Sequence, residues 1–194
     1  MRTEVICDKE RLNQLAGQWD SLTAGPWPPS PALSHDWFSC WLEAFGLKTR
    51  LSVVVLFDGD TLMAAAPVYA VVGTYRGIPC AQLRFLYNRH APRCAFLVRE
   101  GRTDLARLLV RETLRLPGWD LVVLENVPHW SLLFQVAADE ASSGGLLFLS
   151  RETMSSPFLR ITGSWVEFFE SRPRNLRRSL QNKENRISAV GRVE

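Results

Sequence analysis

From Leu51 to Val72 the chain is an almost unbroken run of β-branched and apolar residues, interrupted by Asp58-Gly59-Asp60 and by Pro67. Asp-Gly-Asp is turn chemistry, because aspartate side chains bond nearby backbone and glycine takes positive φ without steric cost. The run therefore predicts a β-hairpin, Leu51 to Phe57 against Thr61 to Val72. Pro67 has no N–H for a ladder, so it marks an edge or a bulge. The longest apolar stretch, Leu62 to Val72, contains that proline and falls short of the ~20 residues a bilayer-spanning helix needs.

Helical periodicity lies on both sides. Asp8 is placed to cap a helix whose Leu12, Leu15, Trp19 and Leu22 recur at three- and four-residue steps until Gly25-Pro26. Pro26 to Pro31 holds four prolines in six positions and runs extended. Ser34 then caps a second helix through Phe45, with Trp37, Trp41 and Phe45 on one face and Gly46 as a left-handed terminator. Gln82 to Tyr87 and Cys94 to Val98 read as strands around a polar loop. From Thr103 the period changes: Leu105, Leu108, Leu109 and Leu116 mark a helix ended by Pro117-Gly118, and Asp120 to Leu124 reads as a buried strand. A helix from Trp130 to Ala138 follows, then a Ser142 to Gly145 loop and two strands, Leu146 to Ser150 and Phe158 to Thr162. Ser164 and Glu167 form a capping box, Arg172-Pro173 breaks the helix it opens, and a basic helix runs from Arg174 to near Gly191.

With 46% apolar and 22% charged residues in 194, the composition is that of a globular protein of one domain with a short appendage. We expect a lobe over 1–163 and a helical linker over 164–194 that opens a second lobe. Cys7, Cys40, Cys80 and Cys94 contain no C-x-x-C pair, so they predict neither a zinc site nor a disulfide framework but buried reduced thiols, and no metal is expected. The start of the chain lacks the apolar core of a signal peptide, which with the thiols points to the cytoplasm. The net charge of +3 is concentrated beyond Ser164, where seven Lys/Arg face four Asp/Glu. Phosphate-loop, dinucleotide, nucleophile-elbow and zinc-protease motifs are absent from the sequence.

The order of elements resembles that of the GNAT acyltransferases. Ser34-His35-Asp36-Trp37-Phe38-Ser39-Cys40-Trp41-Leu42-Glu43-Ala44-Phe45-Gly46 resembles the second helix of the CelD-like, Fem-related members linked to bacterial polysaccharide synthesis, and Asn175-Leu176-Arg177-Arg178 resembles their inter-domain helix. The resemblance implies an α/β fold: a GNAT-like mixed, mostly antiparallel sheet flanked by helices, followed by a C-terminal basic helix. It also implies two GNAT-like halves, of which this chain matches the first, degenerate one. That half shapes an acceptor cleft for an amine or hydroxyl of a sugar-containing acceptor, while acetyl-CoA or another acyl-CoA binds the second half. The partner is then that second lobe or a second copy of the chain. The alternative is a non-catalytic binding or scaffolding domain that dimerises.

Residue chemistry supplies the candidates. Tyr87, Asn88, Arg89, His90 and Arg93 join an aromatic, an amide, an imidazole and guanidinium groups in one loop, a composition suited to sugars or anions. Glu125 lies at the carboxyl end of a strand, where the clefts of α/β sheets form, and is the candidate for acid/base work. Arg99, Gly101 and Arg102 occupy the place where the family wording has a glycine-rich pyrophosphate turn, but Glu100 and Asp104 oppose a diphosphate there. Arg174, Asn175, Arg177 and Arg178 mark the inter-domain helix. The tail has no interleaved aromatics, so nucleic acid is not expected as its partner.

Overall fold

The computed structural model describes residues 1–23, 30–46, 49–87, 93–155 and 162–191. It divides into two compact units, Met1–Thr153 and Met154–Glu194. The first unit begins with β1 (Arg2–Ile6), α1 (Lys9–Asn13), α2 (Ala16–Thr23), a 3-10 turn at Pro31–Leu33 and α3 (His35–Phe45). Six short strands and a helix follow as β2 (Arg50–Leu51), β3 (Val53–Asp58), β4 (Thr61–Ala66), β5 (Val68–Tyr75), β6 (Ile78–Phe85), β7 (Leu97–Val98) and α4 (Thr103–Leu114), and the unit closes with β8 (Leu121–Val123) and α5 (Leu132–Ser143). One sheet has the order β1-β3-β4-β7 and the other β2-β5-β6-β8. Every pairing is antiparallel except β6 with β8. The architecture is the expected one, a mixed and mostly antiparallel α/β fold flanked by helices.

The hairpin forms, but not as one flat ribbon. Its two arms pass from one sheet to the other at Ser52 and Pro67, the second being the proline that the sequence marks as an edge or bulge. Pro67 has no N–H to lose, and its carbonyl accepts from Leu86 N–H at 2.9 Å. A bulge inserts Met63 opposite Leu56 and Phe57, which explains why Leu62 and Ala65, three apart, face the same layer. The β5–β6 hairpin, absent from the sequence reading, turns at Arg76 and Gly77, both at positive φ (50° and 84°).

Alternation decides the layers. Val53, Val55 and Phe57 face Leu12, Trp19, Phe38 and Trp41 of the first three helices, while Val54 and Leu56 face Leu105 and Leu109 of α4. In the second sheet Val68, Leu83 and Phe85 pack against Val110 of α4 and Leu133 and Val136 of α5. Trp19 and Trp41 are buried in the core, as their spacing predicts, and the indole of Trp19 donates to Leu33 O at 3.0 Å.

Several expectations are corrected. The helix expected from Asp8 to Leu22 is two helices, broken where Leu15 N–H bonds Leu12 O in a tighter turn and where Gly17 weakens the helix that follows. Gly46 ends α3 with φ −72°, not in the left-handed region, and its carbonyl accepts from the Thr49 N–H and hydroxyl. The fifth helix starts at Leu132, after Ser131 accepts from Phe134 N–H, and runs through Ser142 and Ser143, which the sequence assigns to a loop. In the Asp120 to Leu124 run, expected as a buried strand, Asp120 is exposed and Leu121 to Leu124 are half-buried. Leu146 to Ser150, expected as a strand, pairs with none among the described residues, leaving Leu147 and Leu149 85% and 77% exposed. The other expected strand, Phe158 to Thr162, falls at 158–161 outside the described residues. Of the four thiols only Cys94 is buried; Cys7 and Cys40 are exposed and Cys80 is intermediate.

The second unit contains α6 (Trp165–Glu170) and α7 (Arg174–Ser188). The capping box at Ser164 and Glu167 is present in both directions, and its hydrogen bonds from the Ser164 backbone and hydroxyl hold the Glu167 carboxyl below the usual carboxylate range. Pro173 precedes α7, the basic helix expected there. Among the described residues, no helix is long and apolar enough to cross a membrane.

Candidate functional site

Strands β6 and β8 run side by side in parallel, pairing Gln82 with Leu121, Leu83 with Val122 and Arg84 with Val123. Their carboxyl ends therefore lie together, the position where α/β sheets build binding crevices. Tyr87 follows one end, and Glu125 and Asn126 follow the other. The pleat sends Leu83 and Phe85 to the helices, so Arg84 faces the opposite way with its cross-strand neighbour Tyr69. Arg84 pairs with Glu125, the two side chains being 34% and 48% exposed. Tyr69 packs its ring on Trp41 with centroids 5.1 Å apart. Burial pushes its phenol up; Arg84 opposes that shift and Glu125 adds to it.

Asn126 organises this end. Its backbone sits at φ 55°, a left-handed conformation that asparagine tolerates better than most residues. Its carbonyl accepts from Cys94 N–H at 3.1 Å and its amide donates to the Tyr87 hydroxyl at 2.8 Å. One residue thus bonds to both Tyr87 and Cys94. Arg93 lies 6.0 Å from the Trp130 ring centroid, within the reach of a cation–π contact.

Of the acceptor candidates, Tyr87 and Arg93 are brought to this end of the sheet, whereas Asn88, Arg89 and His90 lie outside the described residues. Glu125 is also here, with its carboxylate engaged by Arg84. Arg84, Tyr69, Asn126 and Trp130 join the cluster without having been candidates. A charged residue inside the apolar Gln82 to Tyr87 strand is the signal that points to Arg84. Cys94 is not a nucleophile: burial first, then the charge of Glu125, push its thiol up to about 12, and the thiolate is the reactive form.

The donor candidates lie elsewhere, at the entrance to α4. Arg99 N–H bonds Met63 O at 2.9 Å, so the β4 bulge anchors the turn, and Arg102 N–H closes it on Arg99 O at 3.1 Å. Gly101 has φ 76°, and a Cβ there would meet nothing within 4 Å, so its glycine serves the turn and not a close approach. Arg102 grips Asp104 through two hydrogen bonds of 3.0 and 2.8 Å. That grip, helped by the Asp104 and Leu105 N–H groups, holds the Asp104 carboxyl below its ordinary value. The N-terminus of α4 thus already carries an anion of its own, and the residues present do not fit a diphosphate.

On the second unit, Arg174, Asn175 and Arg178 are exposed on α7 and Arg177 is half-buried. No group of three or more potential metal ligands occurs among the described residues.

No family model matches the chain, and no curated protein matches its sequence. Solved structures give likenesses. An aminoglycoside acetyltransferase from an uncultured soil metagenomic sample, in complex with sisomicin, is 13% identical over 82% of this chain and 96% of its own, with a TM-score of 0.44. A probable acetyltransferase is 14% identical over 84% and 100%, with a TM-score of 0.45. A ribosomal-protein-alanine N-acetyltransferase from Brucella melitensis biovar Abortus 2308 is 13% identical over 81% and 100%, with a TM-score of 0.38. At these levels none of them assigns an activity to this chain.

Proposed function

We propose that Met1–Thr153 is the acceptor-side lobe of a GNAT-like acyltransferase, shaping the cleft for an amine or hydroxyl of a sugar-containing acceptor. The observation that carries this reading is the polar and aromatic cluster of Tyr87, Arg93, Glu125, Asn126 and Trp130 at the joined carboxyl ends of β6 and β8. The closed turn at Arg102 and Asp104, which a second copy would share, supports assigning the acyl-CoA donor to a second lobe.

Each residue has a share in holding the acceptor. The rings of Tyr87 and Trp130 offer apolar faces for a sugar ring, with the Tyr87 hydroxyl held in place by Asn126. The half-exposed Glu125 carboxylate, oriented by Arg84, accepts from an ammonium or hydroxyl group of the acceptor. Residues 164–191 act as the linker to the donor-binding partner, and the whole is a cytoplasmic protein of polysaccharide synthesis.

The test is a titration of the 194-residue chain with amino-sugar oligosaccharides, followed by backbone and indole amide shifts. Saturable shifts at Trp130 and Asn126 are expected, with Glu125→Gln weakening the affinity about tenfold, the loss of one charge-assisted hydrogen bond. Shifts confined to other surfaces, or none in a folded chain, sink the reading.

A further inference from the structure

Helix α7 carries a pattern that the acceptor reading does not use. Leu176, Leu180, Lys183 and Ile187 recur at intervals of four, three and four, the spacing of a coiled-coil seam, and Val190 continues it past the helix end. Leu176, Ile187 and Val190 are 45%, 57% and 91% exposed, and Leu180 is half-buried. A stripe this narrow suits another helix; a core or a bilayer takes a wider apolar arc.

Charge selects which helix. In heptad terms Leu176 and Lys183 are d residues and Leu180 and Ile187 are a residues, so Arg177 and Glu184 flank the seam at successive e positions. A parallel copy would set Lys183 against the partner's Lys183 in one layer. An antiparallel copy sets each a against a d: Leu176 meets the partner's Ile187, and Leu180 meets the apolar stem of the partner's Lys183. In that arrangement e faces e, so Arg177 of each copy meets the partner's Glu184. Among the described residues neither Arg177 nor Glu184 enters an ion pair within its own chain.

We propose that α7 is a self-association element through which two copies of the chain pair antiparallel, with Leu176, Leu180, Lys183 and Ile187 as the seam and two Arg177–Glu184 bridges closing it. The inference stands independently of the acceptor site.

Sedimentation equilibrium of the full chain over a range of concentrations tests it. A concentration-dependent dimer is expected, and Leu180→Glu should abolish it while circular dichroism and the amino-sugar titration stay as in the parent chain. Glu184→Arg should weaken the dimer about fivefold, because two attractive pairs become repulsive, and adding Arg177→Glu should restore it. A monomer at every concentration, a dimer indifferent to Leu180→Glu, or a double swap that fails to restore association overturns the proposal.

Discussion

Asn126 concentrates the chemistry of the candidate site in one backbone conformation. Replacing it by glycine keeps φ 55° accessible but removes the amide that holds Tyr87, at a cost of about 1 kcal/mol. Alanine removes the same bond and keeps a Cβ in the left-handed region without the polar side chain that makes asparagine tolerable there, roughly a further 1 kcal/mol. Urea denaturation should therefore rank the variants parent, Asn126→Gly, Asn126→Ala. Equal losses for glycine and alanine would show that the backbone conformation carries no strain. The site was legible in part at this scale. Tyr87, Arg93 and Glu125 stood out by residue type, but Arg84 and Tyr69 reach the cluster only because an alternating strand and an antiparallel neighbour turn them to the same face. A one-dimensional reading does not hold that pairing.

Elements were legible where the signal was local. The third helix has its Ser34 cap and no glycine inside, and it forms over the expected span, although the face it buries holds Phe38 and Trp41 while Phe45 is 54% exposed. Leu146 to Ser150 has the short apolar run of a strand, but a strand exists only with a partner to take its hydrogen bonds, and composition says nothing about that. The α4–α5 contact was equally hidden. Glu140 is buried with its side chain 5% exposed, and it accepts from Arg111 Nε at 3.0 Å and from Arg107 at 3.4 Å, with Asp139 sharing Arg107. The two arginines are half in water and survive loss of the carboxylate cheaply, whereas the carboxylate without them is a buried charge with no cation. Arg107→Ala with Arg111→Ala should thus cost about 3 kcal/mol in urea denaturation, and Glu140→Gln clearly less. The reverse order would mean that the bridge acts through packing of the arginine stems and not through charge.

At the scale of the molecule, two ends of the first unit carry polar chemistry, and they differ in whether a ligand could enter. At the carboxyl ends of β6 and β8 the Glu125 carboxylate is half exposed. At the entrance to α4 the helix dipole favours an anion, but Asp104 already supplies one and Arg102 is bound to it. An incoming diphosphate would have to displace Asp104 from Arg102 and lie beside Glu100, losing two charge-assisted bonds before making any. Calorimetric titration of the folded 194-residue chain with acetyl-CoA should therefore show no saturable heat. Glu100→Gln with Asp104→Asn removes both opposing charges and frees Arg102, so that variant should acquire weak, salt-sensitive binding of the same ligand. Saturable binding by the parent chain, lost when Arg102 is replaced by alanine, would mean that the turn opens to a donor despite its carboxylates. The division between an acceptor lobe and a separate donor lobe would then fail, because both substrates would meet on this one unit.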